Sequence, residues 1–183
     1  ALMAEMEVEF VDGCAENGID KKTAKAIYDL IFKFASYGFN KSHSAAYSIL
    51  AYQTAYLKRH HPAEFMAASL TSEINDPKRI IILIDECKRM GLDVLPPDVN
   101  RSDAVFDVPE TGKVSFGLTA IKNVGKNAIR NMLEVRKEVG EFSNIFQFMQ
   151  ELDLRLVNRK VVESLTQAGA LDSLEGNRAQ KFA

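Results

Sequence analysis

The stretch Tyr37-Gly38-Phe39-Asn40-Lys41-Ser42-His43-Ser44-Ala45-Ala46-Tyr47 runs without a break into Ser48-Ile49-Leu50-Ala51-Tyr52-Gln53-Thr54-Ala55-Tyr56-Leu57-Lys58-Arg59, and the rest of the chain is organised around it. A flexible glycine, a cation, and two hydroxyls flanking an imidazole open a long amphipathic helix. A helix start gathers N–H donors and the positive end of the helix dipole, so an anion fits there. Ser42 reads as the N-cap, and Tyr47, Leu50, Ala51, Thr54 and Leu57 recur at the spacing of a buried stripe, with Tyr52 and Tyr56 on another side. The helix ends near His60-His61, because Pro62 cannot continue it and starts a fresh helical turn through Leu70.

Toward the N-terminus, residues 2 to 17 read as a helix with Met3, Met6, Phe10 and Cys14 on one stripe, stopped by Asn17-Gly18. Asp20 caps a second helix from Lys21 to Ala35, in which Ala24, Ile27, Leu30, Ile31 and Phe34 repeat at helical spacing. Charge is distributed unevenly. Glu5, Glu7, Glu9, Asp12, Glu16 and Asp20 open the chain without a Lys or Arg, whereas from Lys21 to Ala63 Asp29 is the only acid against seven Lys and Arg. A basic middle after an acidic start is the footprint of contact with something negative.

Toward the C-terminus, Asn75-Asp76-Pro77 places a cap before a proline at the first helical position, giving a helix from Pro77 to Met90 closed by Gly91. Leu92 to Val99 contains Pro96-Pro97 and is extended. Ala104–Val108 and Lys113–Phe116 flank Pro109-Glu110-Thr111-Gly112 as a small hairpin. The last third is helical: Leu118 to Lys122, a tight turn at Asn123-Val124-Gly125, Lys126 to Val139, a segment capped by Ser143 from Asn144 to Leu152, and Asn158 to Ala168 stopped by Gly169. The pattern of helix, turn and basic-flanked helix occurs around Gly125 and again, more weakly, around Asn158. The expected fold is mainly α, with a small β-hairpin connector at 71–117 separating helical parts at 1–70 and 118–183.

The 183 residues are 46% apolar with a formal net charge of -2, enough for at least one real core and uninformative about partners. Cys14 and Cys87 are far apart in sequence and form no C-x-x-C pair, which argues against a zinc site or a disulfide framework and points to a reducing compartment. No apolar run approaches the ~20 residues of a membrane span, so a soluble protein is expected. The acidic start lacks the basic region of a secretory signal. A beginning already inside a helical pattern and an end at Gln180-Lys181-Phe182-Ala183 read as a piece of a longer chain.

Three groups of residues carry candidate chemistry. In Ile121-Lys122-Asn123-Val124-Gly125-Lys126-Asn127-Ala128-Ile129, a glycine turn exposes N–H groups at a helix start between Lys122 and Lys126, an arrangement that holds a backbone phosphate without reading a base. An ordinary helix-loop-helix with a glycine cap is the plain alternative. In Leu156-Val157-Asn158-Arg159-Lys160-Val161-Val162 the turn has no glycine, so contact would come through Arg159 and Lys160 alone, cations that would otherwise form a solvated face. Ser42, His43 and Ser44 are too close in sequence to act as nucleophile and base, and His43, His60 and His61 lack an i, i+4 pair and carboxylate support for a metal. What remains for Lys41-Ser42-His43-Ser44 is a capped helix start with a partly buried histidine, or an anion site.

These residues also carry a resemblance. Gly38–Tyr47, Tyr52–Lys58 and Pro62–Ala68 are closely similar to the fingers region of the C-family bacterial replicative polymerases, the DNA polymerase III alpha subunits. The similarity continues through Glu86–Gly91, Leu95–Asn100, Phe116–Gly125 and Ala168–Leu174. The turn at Gly125 resembles a helix-hairpin-helix motif in Val124, Gly125 and Ala128, with Asn123 where many members have a first glycine. The resemblance implies a fragment covering the end of the fingers at 1–70, a connector at 71–117, and a tandem helix-hairpin-helix region at 118–183 that begins the clamp-binding domain. It further implies that Lys41, Ser42, His43, Ser44 and Tyr47 lie near the incoming deoxynucleoside triphosphate or primer-template, and that Lys122, Asn123, Gly125, Lys126, Arg159 and Lys160 meet duplex DNA. The whole enzyme would be a cytoplasmic, nucleoid-associated DNA-directed DNA polymerase using magnesium held by palm carboxylates upstream of this segment, with the sliding clamp and replisome subunits as partners. No Asp-x-Asp pair occurs in this sequence, so the fragment is expected to be inactive alone, without a catalytic or metal-binding residue of its own. A non-enzymatic helix-hairpin-helix module that holds duplex DNA is the alternative.

Overall fold

A computed structural model describes residues 2–36 and 41–182 of the chain. The expectations placed on Tyr37–Asn40, including the glycine turn at Gly38, and on the Met3 side chain lie outside the described residues. The chain divides into two compact units, residues 1–53 and 54–183.

In the first unit, helices α1 (Leu2–Glu16) and α2 (Lys21–Ser36) form a hairpin. Gly18, at φ +80, ends the connection as only a left-handed residue can. Asp20 caps α2, accepting from the Thr23 N–H at 3.0 Å and the Thr23 hydroxyl at 2.6 Å. Phe10 packs on Tyr28 at 5.5 Å between ring centroids, and Asp12–Lys21 and Glu7–Lys25 pair across the hairpin. Ala24 and Tyr28 are buried, but Ile27, Leu30, Ile31 and Phe34 of the expected stripe are exposed.

Helix α3 (Lys41–His60) passes from the first unit into the second. Ser42 is its second residue, inside the helix rather than ahead of it as a cap would be. The expected buried stripe is likewise corrected, because no described α3 residue is buried. Tyr47, Leu50 and Leu57 are 59%, 54% and 46% exposed. Helical periodicity reports which face is apolar; burial needs a second surface laid over that face.

In the second unit, α4 (Pro62–Ser72) and α5 (Pro77–Arg89) pack together beside a three-stranded sheet. Asp76 caps α5 as expected, accepting from the N–H groups of Lys78 and Arg79. The sheet has order β1 (Asp93–Leu95), β3 (Lys113–Ser115), β2 (Asp107–Glu110), with β1 parallel and β2 antiparallel to β3. A β2–β3 hairpin forms as expected, but its first strand is shifted: Pro109 and Glu110, expected in the turn, belong to β2, and Ala104–Phe106 lie outside it; the parallel partnership of β1 does not follow from the sequence. Met66, Leu70, Ile80, Cys87, Leu92, Phe106 and Val114 form one core beneath these elements.

A 3₁₀ turn (Leu118–Ala120), then α6 (Lys126–Val139), α7 (Ile145–Glu151), α8 (Arg159–Ala168) and α9 (Arg178–Phe182), enclose a second core. Leu118, Ile129, Met132, Phe142, Phe148, Val157, Leu165 and Leu171 lie inside it. Phe116 packs against both cores. Asn144, one residue beyond the expected Ser143, caps α7, while the Ser143 N–H and hydroxyl donate to Gln147. Gly117 permits the close approach that sets the following turn in place: a Cβ there would stand 2.5 Å from the Val105 carbonyl carbon. The Leu118 and Thr119 N–H groups accordingly donate to the carbonyls of Asp103 and Ala104. Arg136 donates to the carbonyls of Val99 and Ser102, and Asn100 exchanges two hydrogen bonds with the Phe142 backbone.

Candidate nucleic-acid interface

The turn leading into α6 is tight because Asn123 adopts φ +66. Asparagine is the side chain that best tolerates this left-handed region after glycine, since its short amide can bond locally. It therefore performs the conformational task expected of a first glycine. The Val124 N–H then donates to Ile121 at 3.3 Å, burying Val124 against the core. Gly125 precedes the helix at φ -74 and ψ 152, and no side chain caps α6. The first intrahelical bond runs from the Ile129 N–H to the Gly125 carbonyl at 3.1 Å. Ahead of it, the N–H groups of the exposed residues Lys126 and Asn127 carry the partial positive charge of the helix start.

Charge agrees with this geometry. From Leu118 to Arg130 the sequence holds Lys122, Lys126 and Arg130 and no acid. Among the described residues, no ion pair involves Lys122 or Lys126, and both are exposed. An anion placed at the turn would meet backbone donors and two uncommitted ammonium groups.

The second hairpin, between α7 and α8, is built differently. Its turn is held by Asp153, whose carbonyl accepts from Leu156 and Val157 and whose carboxylate takes the Arg155 guanidinium at 2.9 Å. The Arg155 hydrogen bonds hold the Asp153 carboxyl below the ordinary carboxylate range. Asn158 has almost the backbone of Gly125, φ -76 and ψ 172, but its side chain accepts from the Val161 N–H. Arg159 and Lys160 both face Glu163, at 2.9 and 3.9 Å. The donors and cations of this hairpin are thus already engaged with the protein.

Of the six residues expected at the duplex, Lys122, Asn123, Gly125 and Lys126 come together on one turn. Lys160 is linked to them indirectly: the Ser164 hydroxyl donates to the Lys160 carbonyl at 2.8 Å and accepts a long 3.5 Å bond from the Asn123 amide. Open cavities flank the turn, one of about 450 Å³ against Phe116, Ser164 and Gln167, another of about 520 Å³ against Asn75 and Pro77. Ser164, Gln167 and Asn75 do not stand out in the sequence, where the only signal is the row Lys160, Ser164, Gln167 on one face of α8.

Lys41, Ser42, His43, Ser44 and Tyr47 occupy the first two turns of α3. Lys41, Ser42, His43 and Tyr47 are exposed and Ser44 is half-buried. The His43 and Tyr47 rings lie 4.2 Å apart on one face. No group of three or more His, Cys, Asp or Glu side chains among the described residues is placed to hold a metal ion. No described helix is long and apolar enough to cross a membrane.

Comparison with known proteins agrees with these features. The helix-hairpin-helix motif family matches residues 91–181. The chain is 48% identical to DNA polymerase III subunit alpha of Vibrio cholerae over 181 residues, which is 99% of this chain and 16% of that protein. It is 47% identical to the Pseudomonas aeruginosa subunit over 94% of this chain, and 45% identical to the Escherichia coli subunit over 97%, spanning 15% of each relative.

Proposed function

Since the chain belongs to the DNA polymerase III subunit alpha family, we propose that it is a DNA-holding segment of a template-directed DNA polymerase, and that the Asn123–Lys126 turn grips a backbone phosphate of the duplex. The observation that carries this reading is the pairing of an uncapped α6 start with Lys122 and Lys126, neither of which is in an ion pair among the described residues. Such a grip suits a replicative enzyme, which must hold every sequence and so uses phosphate contacts in place of base readers.

The α3 start is the part of a fingers region that faces the incoming nucleoside triphosphate or the primer-template. There Lys41 supplies charge, and Ser42, His43 and Ser44 supply hydrogen-bonding groups. Tyr47 presents an aromatic face beside His43. These groups would neutralise charge on the leaving pyrophosphate during transfer. Magnesium supplies electrostatic stabilisation to that reaction when bound. Among the described residues no group of three or more His, Cys, Asp or Glu side chains is placed to hold it. Polymerisation, the sliding-clamp contact, other replisome contacts and a place on the bacterial nucleoid belong to the longer protein; the segment alone is inactive.

Duplex binding by the full-length subunit as a function of salt tests the reading. Replacing both Lys122 and Lys126 by Ala should lower the slope of log affinity against log salt by about two, one for each ammonium group that no longer neutralises a phosphate. An unchanged slope removes the turn from the interface. Lys41→Ala should lower single-nucleotide incorporation more than duplex affinity, and equal losses or none would give Lys41 a structural role.

A further inference from the structure

Beside the hairpin, on the outer side of α6, lies an open groove of about 450 Å³ that the proposed DNA contact does not use as a whole. Its floor is aliphatic: Ile74, Val105, Ile129 and Leu133. Val105 is 43% exposed, unusual for a residue so close to the core. One wall is the exposed face of α6 with Lys126, Arg130, Glu134 and Lys137, three cations against one acid. Arg130 donates to the Asn127 side chain at 3.4 Å, and among the described residues none of the three cations is in an ion pair.

From this geometry we infer that the groove is a docking site for a short, acidic, aliphatic peptide segment of a partner protein. Length decides against a small anion. Lys126 and Lys137 are eleven residues apart on one helix, about 16 Å at 1.5 Å per residue, a span that takes about five residues of extended chain to follow. Surface chemistry decides against a nucleic acid. No aromatic side chain lines the groove for a base to stack on, whereas its aliphatic floor accepts apolar side chains that a nucleic acid does not carry. A peptide with alternating leucine-like and acidic side chains meets both surfaces, placing apolar groups on the floor and carboxylates on the α6 wall. Its volume lies in the range of binding clefts.

The site shares Lys126 with the proposed phosphate grip, so an acidic peptide and duplex DNA compete for one ammonium group. The peptide site itself stands on the floor and on Arg130 and Lys137, independently of that grip.

The test uses the full-length protein and three labelled probes read by fluorescence anisotropy: a short peptide alternating leucine and glutamate, the same peptide with lysine in place of glutamate, and an oligothymidylate of equal charge. The leucine–glutamate peptide should bind and the lysine peptide should not. The exposed double variant Arg130→Glu with Lys137→Glu should weaken peptide binding about tenfold, while Lys41→Ala leaves it unchanged. Hydrogen exchange should slow on α6 when the peptide is added. Val105→Asp, a surface change on the floor, should also weaken it. Equal binding of both peptides, or peptide affinity unmoved by the charge reversal while oligothymidylate binding falls, would each overturn the proposal.

Discussion

The two hairpins of the second unit share a framework and differ in what occupies their helix starts. Gly125 and Asn158 hold nearly the same backbone angles, yet Asn158 spends its amide oxygen on the Val161 N–H and Gly125 has no side chain to spend. Around Gly125 two lysines stand free of ion pairs among the described residues; around Asn158, Arg155 is folded onto Asp153 and Arg159 and Lys160 onto Glu163. On the proposed reading, a helix-hairpin-helix turn becomes an anion site through what is left unpaired, and a copy that satisfies its own donors serves as a packing partner. The exposed ion pairs of the second copy are individually weak, so the capped N–H is the firmer distinction.

Charge reversal should separate the hairpins most. Lys122→Glu with Lys126→Glu should lower duplex affinity of the full-length subunit by about a hundredfold at moderate salt, since phosphate contacts dominate affinity. Arg159→Glu with Lys160→Glu should lower it by about threefold or less. Equal losses in filter binding would erase the contrast. A smaller effect is expected from the turn itself: Asn123→Ala must place an ordinary side chain at φ +66, destabilising by about 1–2 kcal/mol in denaturant unfolding, whereas Asn123→Gly should be near neutral. The smallest effect is expected at the second cap. Asn158→Ala should lose about 1 kcal/mol of stability and leave duplex affinity untouched; a drop in affinity would show that the second hairpin also reaches DNA.

Much of this was legible in the sequence because it is local chemistry. Asp20 and Asp76 cap helices, Gly18, Gly91 and Gly169 end them with positive φ, and the Asn123–Gly125 turn is where its residues place it, while Asn158, expected as the first residue of α8, instead caps it. Three features were not legible, each because it depends on a distant partner. β1 joins β3 across a long loop, Gly117 is required by the backbone of Val105, and Ser164 reaches Asn123 from another helix. The cap of α7 slipped by one residue because Ser143 and Asn144 can both cap, and Gln147 accepts from Ser143 while donating its N–H to Asn144. On α3 the apolar residues were identified correctly, but periodicity carries no information on whether anything covers them. For the candidate site, the sequence named the four residues of the turn; that Arg159 and Lys160 are tied to Glu163 needed coordinates.

Gly125→Asn tests the central claim most directly, because it gives the first hairpin the cap of the second. The site has open space for a side chain and a backbone that accommodates one. An asparagine oxygen on the α6 N–H groups should hold stability constant or raise it by a few tenths of a kcal/mol. Duplex affinity should fall about tenfold, the worth of a hydrogen bond to a charged group. A Gly125→Asn protein that is as stable and binds duplex DNA as tightly as the unmodified subunit would contradict the account.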